Sequence, residues 1–456
     1  MALTKQLSFL EDEEENEVEE TDELNRGELG TFKDSLRSPV HRWFTYPAGF
    51  SFKAVEETFR IYNIKPGMSI YDPFGGTATT NIVASQNGVH SFGVEAHPFV
   101  HFVGHTKLFW DFVFSDLLKQ IDALIGGIKS SLRMRGITSI VVEDIFPELV
   151  CKCYSKEKLA YLYVCREGIN ALPSSPFRNF AKLGLTSLLR SISDVHTGWP
   201  YIAPKKERRP MTQGSDVDVV GKLRDQLYTM YGDLREVYHA GELVGKAAFI
   251  LGDSRSRQDV INDETVDLVF TSPPYLNNYD YSDRTRLEMY FWDEAKNWGD
   301  ITRNVRSRLI MSATTQISRT DYIEGKLLSG EFLTTVPDVA TELKPKIDAL
   351  THLRLQKGGK KSYDIMVAGY FNDMLKVFRE TFRVLKPGAS FLLILGDSAP
   401  YGVHIPTDMY LGEVGKAVGF SRYKIEDLRV RGGKWRNNPQ RHHVSLKESI
   451  LTLEKN

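Results

Sequence analysis

Met68-Ser69-Ile70-Tyr71-Asp72-Pro73-Phe74-Gly75-Gly76-Thr77-Ala78-Thr79-Thr80 is the stretch that decides the fold. Met68 to Tyr71 reads as a strand running into a glycine-rich turn, and Thr80 to Gln86 reads as a helix ended by Gly88. The next strand, Ser91-Phe92-Gly93-Val94, ends on an acid, Glu95. Strand, glycine-rich turn, helix and a strand ending in a carboxylate form the first half of a doubly wound nucleotide-binding sheet. In such a sheet the glycines let the backbone approach a ligand, and the acid binds both ribose hydroxyls. The interval from Asp72 to Glu95 fits the roughly 20 residues this geometry needs.

A second stretch lies far downstream. Val266-Asp267-Leu268-Val269-Phe270 is short, apolar and rich in β-branched and aromatic residues, so it reads as a buried strand. Thr271-Ser272-Pro273-Pro274-Tyr275 follows, and two prolines cannot continue a ladder. They leave a stiff backbone with a small hydroxyl on one side and an aromatic ring on the other. A planar ring bearing an amine fits there, stacked on Tyr275, with Ser272 and the Pro273 carbonyl accepting hydrogen bonds from its NH2. Such acceptors return the nitrogen lone pair from the ring and stabilise the charge that develops on it. The plainer alternative is a Ser-Pro-Pro turn closing a strand.

Outward from these two stretches, the chain orders itself around the sheet. Ser51 is placed to cap a helix over Phe52 to Tyr62 with Val55, Phe59 and Ile61 on its buried face. Ala247 to Leu251 is a strand ending at Gly252-Asp253-Ser254. Tyr370 to Phe382 reads as a helix leading through the Lys386-Pro387-Gly388 turn into the strand Ser390 to Leu395. A helix over Met409 to Val418 and strands over about 422–430 and 448–453 complete the pattern. The fold class is α/β, a Rossmann-like, mostly parallel mixed sheet with two inserted, largely helical segments. The expected division is an acidic disordered tail over 1–30, the first half of the sheet domain over 31–98 and a helical insertion over 99–245. Strands over 246–292, a second insertion over 293–365 and the C-terminal half over 366–456 follow.

The 456 residues are 41% hydrophobic, enough for a large core. No run approaches the ~18 apolar residues of a membrane span, and Met1-Ala2-Leu3-Thr4-Lys5 does not resemble a signal peptide. Three cysteines, Cys151, Cys153 and Cys165, suit a reducing compartment, so a bacterial cytoplasm is expected. The net charge of −1 hides segregation: residues 11–23 are almost all acidic, leaving the remainder basic. Gly358-Gly359 marks a mobile loop beside Lys357, Lys360 and Lys361. His97, His101 and His105 share a helix face but lack a Glu-x-x-His context, and Cys151-Lys152-Cys153 lacks a second pair. No metal is expected.

With both motifs in place, the chain resembles the amino-group methyltransferases that use S-adenosyl-L-methionine, in particular DNA methyltransferases with a Ser-Pro-Pro-Tyr motif. That resemblance covers roughly 41–98, 247–292 and 370–453. It implies a methyl transfer to the N4 amine of a cytosine flipped out of double-stranded DNA. Ser272, Pro273, Pro274 and Tyr275 would be catalytic, with Asn277 or Asn278 in support. The cofactor would be held by Tyr46, Phe50, Asp72, Pro73, Phe74, Gly75, Gly76, Thr77, Thr79, Thr80, Glu95, Asp253 and Ser254. Glu95 would take the ribose, and Asp253 the adenine amino group. At Ala78, where the family has glycine, a Cβ would alter the backbone's approach to the methionine part of the cofactor.

Phosphate and base contacts are expected from the insertions and from the loop carrying Arg431, Lys434, Trp435, Arg436 and Arg441. A cognate restriction endonuclease is a further expected partner. The alternatives are adenine N6 methylation, amino methylation of an RNA base such as one in tRNA, and a catalytically silent nucleic-acid-binding subunit.

Overall fold

In the computed structural model β4 (Val266–Thr271) lies at the centre of a seven-stranded sheet. Residues 34–46, 49–198, 202–205, 218–240, 245–277, 279–317, 327–359, 361–431 and 444–456 are described. The acidic block at 11–23, Asn278, Lys360 and the target-loop candidates Lys434, Trp435, Arg436 and Arg441 lie outside them. The other strands are β1 (Ser69–Asp72), β2 (His90–Glu95), β3 (Ala247–Leu251), β5 (Leu385–Gly396), β6 (Arg422–Arg431) and β7 (Leu446–Glu454). Their spatial order is β3-β2-β1-β4-β5-β7-β6. The first five are parallel, and β7 runs antiparallel to both β5 and β6.

Alternation along the central strands explains why they are apolar throughout. Ile70, Leu268, Phe270, Leu392 and Ile394 face one layer, where they pack with helices α1 (Phe52–Ile61) and α2 (Thr79–Gln86). Tyr71, Val269, Phe391, Leu393 and Leu395 face the other layer. A parallel sheet covered on both faces needs such runs, and each side chain buried contributes about 1.5–3 kcal/mol.

The first insertion leaves the sheet through α3 (Pro98–Lys107) and continues as α4 (Phe114–Arg135), α5 (Lys156–Asn170), α6 (Pro176–Leu188) and α7 (Val219–Ala240). The chain then returns to the sheet at β3. Its α7 supplies Asp233, buried, which gathers the aromatic segment ahead of α1. Asp233 Oδ2 accepts from the Val40 N–H (3.0 Å), Trp43 Nε1 (2.9 Å) and Arg42 Nε (3.0 Å). The second insertion ends in α8 (Pro337–Gln356), which packs on α9 (Tyr363–Val384). Gly359, φ +75°, closes α8 by donating its N–H to Arg354 O at 2.9 Å.

Several local expectations change. Ile61 is 60% exposed, and the buried face of α1 is Ala54, Val55, Thr58 and Phe59. Helix α9 starts at Tyr363, not Tyr370, because Ile365, Met366 and Val367 are buried under α8 and extend the apolar face. Lys386-Pro387-Gly388 belongs to β5; Pro387 is tolerated near a strand start, and Gly388 N–H bonds Lys455 O at 2.7 Å. The last helix, α10 (Thr407–Val418), closes on Gly419 with φ +129°.

Candidate active site

Strand order sets the location. From β1 the chain steps outward to β2 and β3, whereas β4 and β5 lie on its other side. The crevice at the C-terminal ends of β1 and β4 is therefore the topological switch point, where sheets of this kind bind ligands. Both motifs project there. Thr271 at the end of β4 donates to Asp72 Oδ1 (2.6 Å), Thr80 donates to Asp72 Oδ2 (2.7 Å), and the Phe74 N–H donates to Oδ1 (3.0 Å). Burial pushes the Asp72 carboxyl up to about 6, against the opposing effect of those three hydrogen bonds. Asp72 and Thr80 thus tie the two motifs together from beneath, and the cavity above is lined by others.

That cavity is walled by Tyr46, Gly49 and Phe50 on one side and by Pro73, Phe74, Gly75, Gly76, Thr77 and Thr79 below. Glu95, Ala96, His97, Asp253, Ser254, Ser272, Pro274 and Tyr281 continue it, and Arg308 to Ile310 with Ser312 complete it from the second insertion. Gly76 adopts φ +53° and gives its N–H to Glu95 Oε2 at 2.9 Å, while Glu95 Oε1 accepts the His97 N–H at 2.7 Å. Burial pushes the Glu95 carboxyl up to about 7, opposed by those backbone donors. Gly75 serves packing: a Cβ there would stand 2.6 Å from the Phe249 ring, which also fills the space left by Gly93 and Gly104.

Ala78 sits in the left-handed region, φ 68°, ψ 32°, which accounts for a glycine preference at this position. Its Cβ is fully buried near Gly104 of α3, and Ala78 does not line the cavity. The expected effect on approach to the cofactor is therefore replaced by a packing contact behind the loop.

The acid of the third strand is engaged locally. Asp253 Oδ1 and Oδ2 accept from Arg255 Nε and Nη2 at 2.9 and 2.8 Å, and Arg255 Nη1 reaches Asp373 at 3.1 Å. Ser254 donates its hydroxyl to the Pro73 carbonyl, locking β3's end to the glycine-rich loop.

Ser272 donates its hydroxyl hydrogen to Ile394 O on β5 at 3.0 Å. With its hydrogen placed there the oxygen can act toward other groups only as an acceptor, and the Tyr275 hydroxyl is one of its side-chain partners. Pro273 is buried, and Asn277, φ 58°, gives its N–H to Ser312 O at 2.8 Å, joining the Pro-Pro turn to the second insertion. The Tyr275 hydroxyl donates to Glu448 Oε1 on β7 at 2.8 Å; Glu448 Oε2 accepts from Arg429 Nε at 2.8 Å. Burial first, then the Glu448 carboxylate, holds the phenol well above its ordinary range, so it stays a neutral donor. Arg431, expected on phosphate, lies with its guanidinium carbon 5.0 Å from the Tyr275 ring centroid.

Glu448, Tyr281 and Ser312 escaped the reading from sequence. Tyr281 stands 6.4 Å from Tyr46 across the cavity and six residues after Tyr275, in the aromatic run that continues the motif. Glu448 lies within an ordinary strand and carried no signal. His97 is buried with Nε2 2.7 Å from Thr285 Oγ1, and His101 stacks on Phe249 at 5.3 Å. Among the described residues no His, Cys, Asp or Glu cluster suited to a metal occurs, and no helix is long and apolar enough to cross a membrane.

The cavity fits S-adenosyl-L-methionine by its donor set. The half-buried Glu95 carboxylate at the end of β2, the rings of Tyr46 and Phe50 and the glycine-rich turn at Gly75-Gly76 all line it.

No family model matches the chain. It is similar to curated proteins over nearly its whole length. It is 26% identical over 471 residues to the Type II methyltransferase M.BsoBI of Geobacillus stearothermophilus, spanning 96% of this chain and 90% of that one. To M.AvaI of Nostoc sp. it is 24% identical over 455 residues, 91% and 90% of the two chains. To M.MvaI of Kocuria varians it is 21% identical over 472 residues, 99% of each. Such enzymes take their methyl group from S-adenosyl-L-methionine, the cofactor expected from the sequence.

Proposed function

We propose that the protein is a site-specific DNA methyltransferase that methylates the exocyclic N4 amine of a flipped-out cytosine. The observation that carries this reading is the Ser272 hydroxyl: its hydrogen is committed to Ile394 O, so toward the crevice it presents only an acceptor. An acceptor beside a neutral aromatic ring suits an amine donor on a planar base. The similarity to Type II methyltransferases supports DNA as the substrate and a cognate restriction endonuclease as the functional partner.

S-adenosyl-L-methionine supplies an electrophilic methyl group on a sulfonium. Glu95 accepts from the ribose hydroxyls, and Tyr46 and Phe50 close the wall over it. Asp253, whose carboxylate is held by Arg255, and Ser254 would line the adenine end of the cavity. Tyr275 stacks on the target base, and Ser272 Oγ with the Pro273 carbonyl accepts the two N–H hydrogens. The amine lone pair would thereby be released from the ring and held toward the cofactor site, where the methyl group would be supplied. The surplus amine proton leaves through those acceptors to solvent. In-line positioning supplies much of the acceleration, and fixed acceptors supply the electrostatic part.

The test is transfer of labelled methyl into duplex DNA, matched single strands and bulk tRNA, with nucleosides identified by mass. N4-methylcytosine from duplex DNA, lost in Ser272→Ala and Tyr275→Ala, is the expected result. N6-methyladenine would retain the mechanism and reassign the base; label in tRNA alone, or none with cofactor bound, would overturn the DNA reading.

A further inference from the structure

Arg431 is the last residue of β6, and its guanidinium covers the Tyr275 ring. The seat is built from three sides. Gly396, the last residue of β5, forms the floor: a Cβ placed there would overlap the Arg431 guanidinium and lie 3.2 Å from the Tyr275 ring. Glu448 accepts from the Tyr275 hydroxyl and so anchors the outer end of the ring. The β6–β7 register pairs Arg429 with Glu448 and Arg431 with Leu446, so one strand fixes both the ring's anchor and the cation above it.

A guanidinium is flat, delocalised and weakly hydrated, and it stacks on aromatic rings much as a nucleobase does. An ammonium or a branched side chain would not fill the same slab of space. The chain thus covers its catalytic ring with its own planar group.

We propose that Arg431 is a placeholder for the target base, occupying the stacking face of Tyr275 until the flipped base displaces it. The inference rests on the base-methylation reading above. Cation–π contact and base–aromatic stacking are of the same order, so the exchange is nearly balanced and the guanidinium gates the ring without locking it. A phosphate contact at Arg431 makes the opposite prediction, weaker DNA binding with a shallower salt dependence.

The experiment is single-turnover transfer of labelled methyl into saturating genomic DNA from a host lacking the modification. It uses the full chain, Arg431→Ala and Arg431→Gln, with S-adenosyl-L-methionine affinity measured on each as the control for folding. Removing the stacked cation should raise the single-turnover rate of Arg431→Ala by about threefold to tenfold. Arg431→Gln, whose amide is flat but uncharged, should gain less, and the salt slope of DNA binding should not change. A slower rate with a reduced salt slope would make Arg431 a phosphate contact. An unchanged rate would remove it from the path of the base. Either result overturns the placeholder while transfer by the unsubstituted protein leaves the parent reading standing. No transfer by the unsubstituted protein would overturn that reading and this inference with it.

Discussion

Thr271 donates its hydroxyl hydrogen to Asp72 across the β1–β4 boundary at 2.6 Å, joining residues 199 positions apart in the chain. The contact is buried and makes the two functional loops one unit. Asp72→Ala would strand Thr271, Thr80 and the Phe74 N–H without their acceptor. The expected loss is about 3 kcal/mol of stability, the range for a broken buried network. Asp72→Asn keeps one acceptor and should cost less. Denaturant unfolding of both variants checks this; equal stability of Asp72→Ala and the parent would remove the proposed tie.

Asp72 is a buried acid and Glu95 a half-buried one, with folded pKa values pushed up to about 6 and about 7. The folded protein therefore holds protons that the unfolded chain has lost. Stability should fall as pH rises from the ordinary carboxylate range to about 7, then level off. Cofactor affinity should run the other way, because the ribose hydroxyls need the ionised Glu95. With one group titrating near 7, the dissociation constant should drop about tenfold between pH 6 and pH 8. Isothermal titration across that range tests it, and Glu95→Gln should flatten the profile.

Much of this centre is legible in the sequence because it is local. Strand, turn, helix and acid over 68–95 follow from apolar periodicity and glycine placement; Ser272 to Tyr275 is legible from the proline pair as the end of a strand, and as a candidate site only beside that first motif. What sequence could not reach depends on contacts between distant segments. Asp233 looks like any helical acid until α7 brings it to Val40 and Trp43, about 190 residues away. Arg431 reads as a surface charge beside a glycine-bearing loop, and only the β6–β7 register puts it on Tyr275. The direction of the Ala78 Cβ depended on where α3 would pack.

Ala78 itself offers a clean substitution. A non-glycine residue in the left-handed region costs about 1 kcal/mol or more. Ala78→Gly removes that strain at the expense of one buried methyl and of some unfolded-state entropy. The balance should lie within about 1 kcal/mol of the parent. Because the Cβ faces Gly104 and not the cavity, S-adenosyl-L-methionine affinity should be unchanged within twofold, roughly 0.4 kcal/mol. A large gain in affinity would mean that the methyl group does obstruct the cofactor.

Asp233 links the first insertion to the cofactor wall. Asp233→Ala leaves the Val40 N–H and Trp43 Nε1 buried without an acceptor, and frees Arg42. The loss should be about 2–4 kcal/mol. The effect should extend to the cofactor, because Val40 to Phe44 leads directly into Tyr46. Thermal unfolding together with cofactor titration decides the matter: lost stability with intact affinity would show that the aromatic wall is held independently of α7.

Tyr275 joins two functions that substitution can separate. Its ring presents the stacking face, and its hydroxyl is anchored on Glu448. Tyr275→Phe keeps the ring but leaves Glu448 with Arg429 as its remaining partner. The loss of one buried hydrogen bond to a carboxylate should cost about 1.5–3 kcal/mol of stability. Methyl transfer at saturating substrate should stay within about tenfold of the parent, since the stack survives and the phenol reaches the reacting amine only through the Ser272 side chain. Tyr275→Ala removes the stack as well, and base stacking on an aromatic side chain is worth about 1–3 kcal/mol. Its rate should fall further than that of Tyr275→Phe while cofactor affinity holds, because Tyr275 is absent from the cavity wall. Equal losses in the two variants would transfer the catalytic importance from the ring to the hydroxyl and its bond to Glu448.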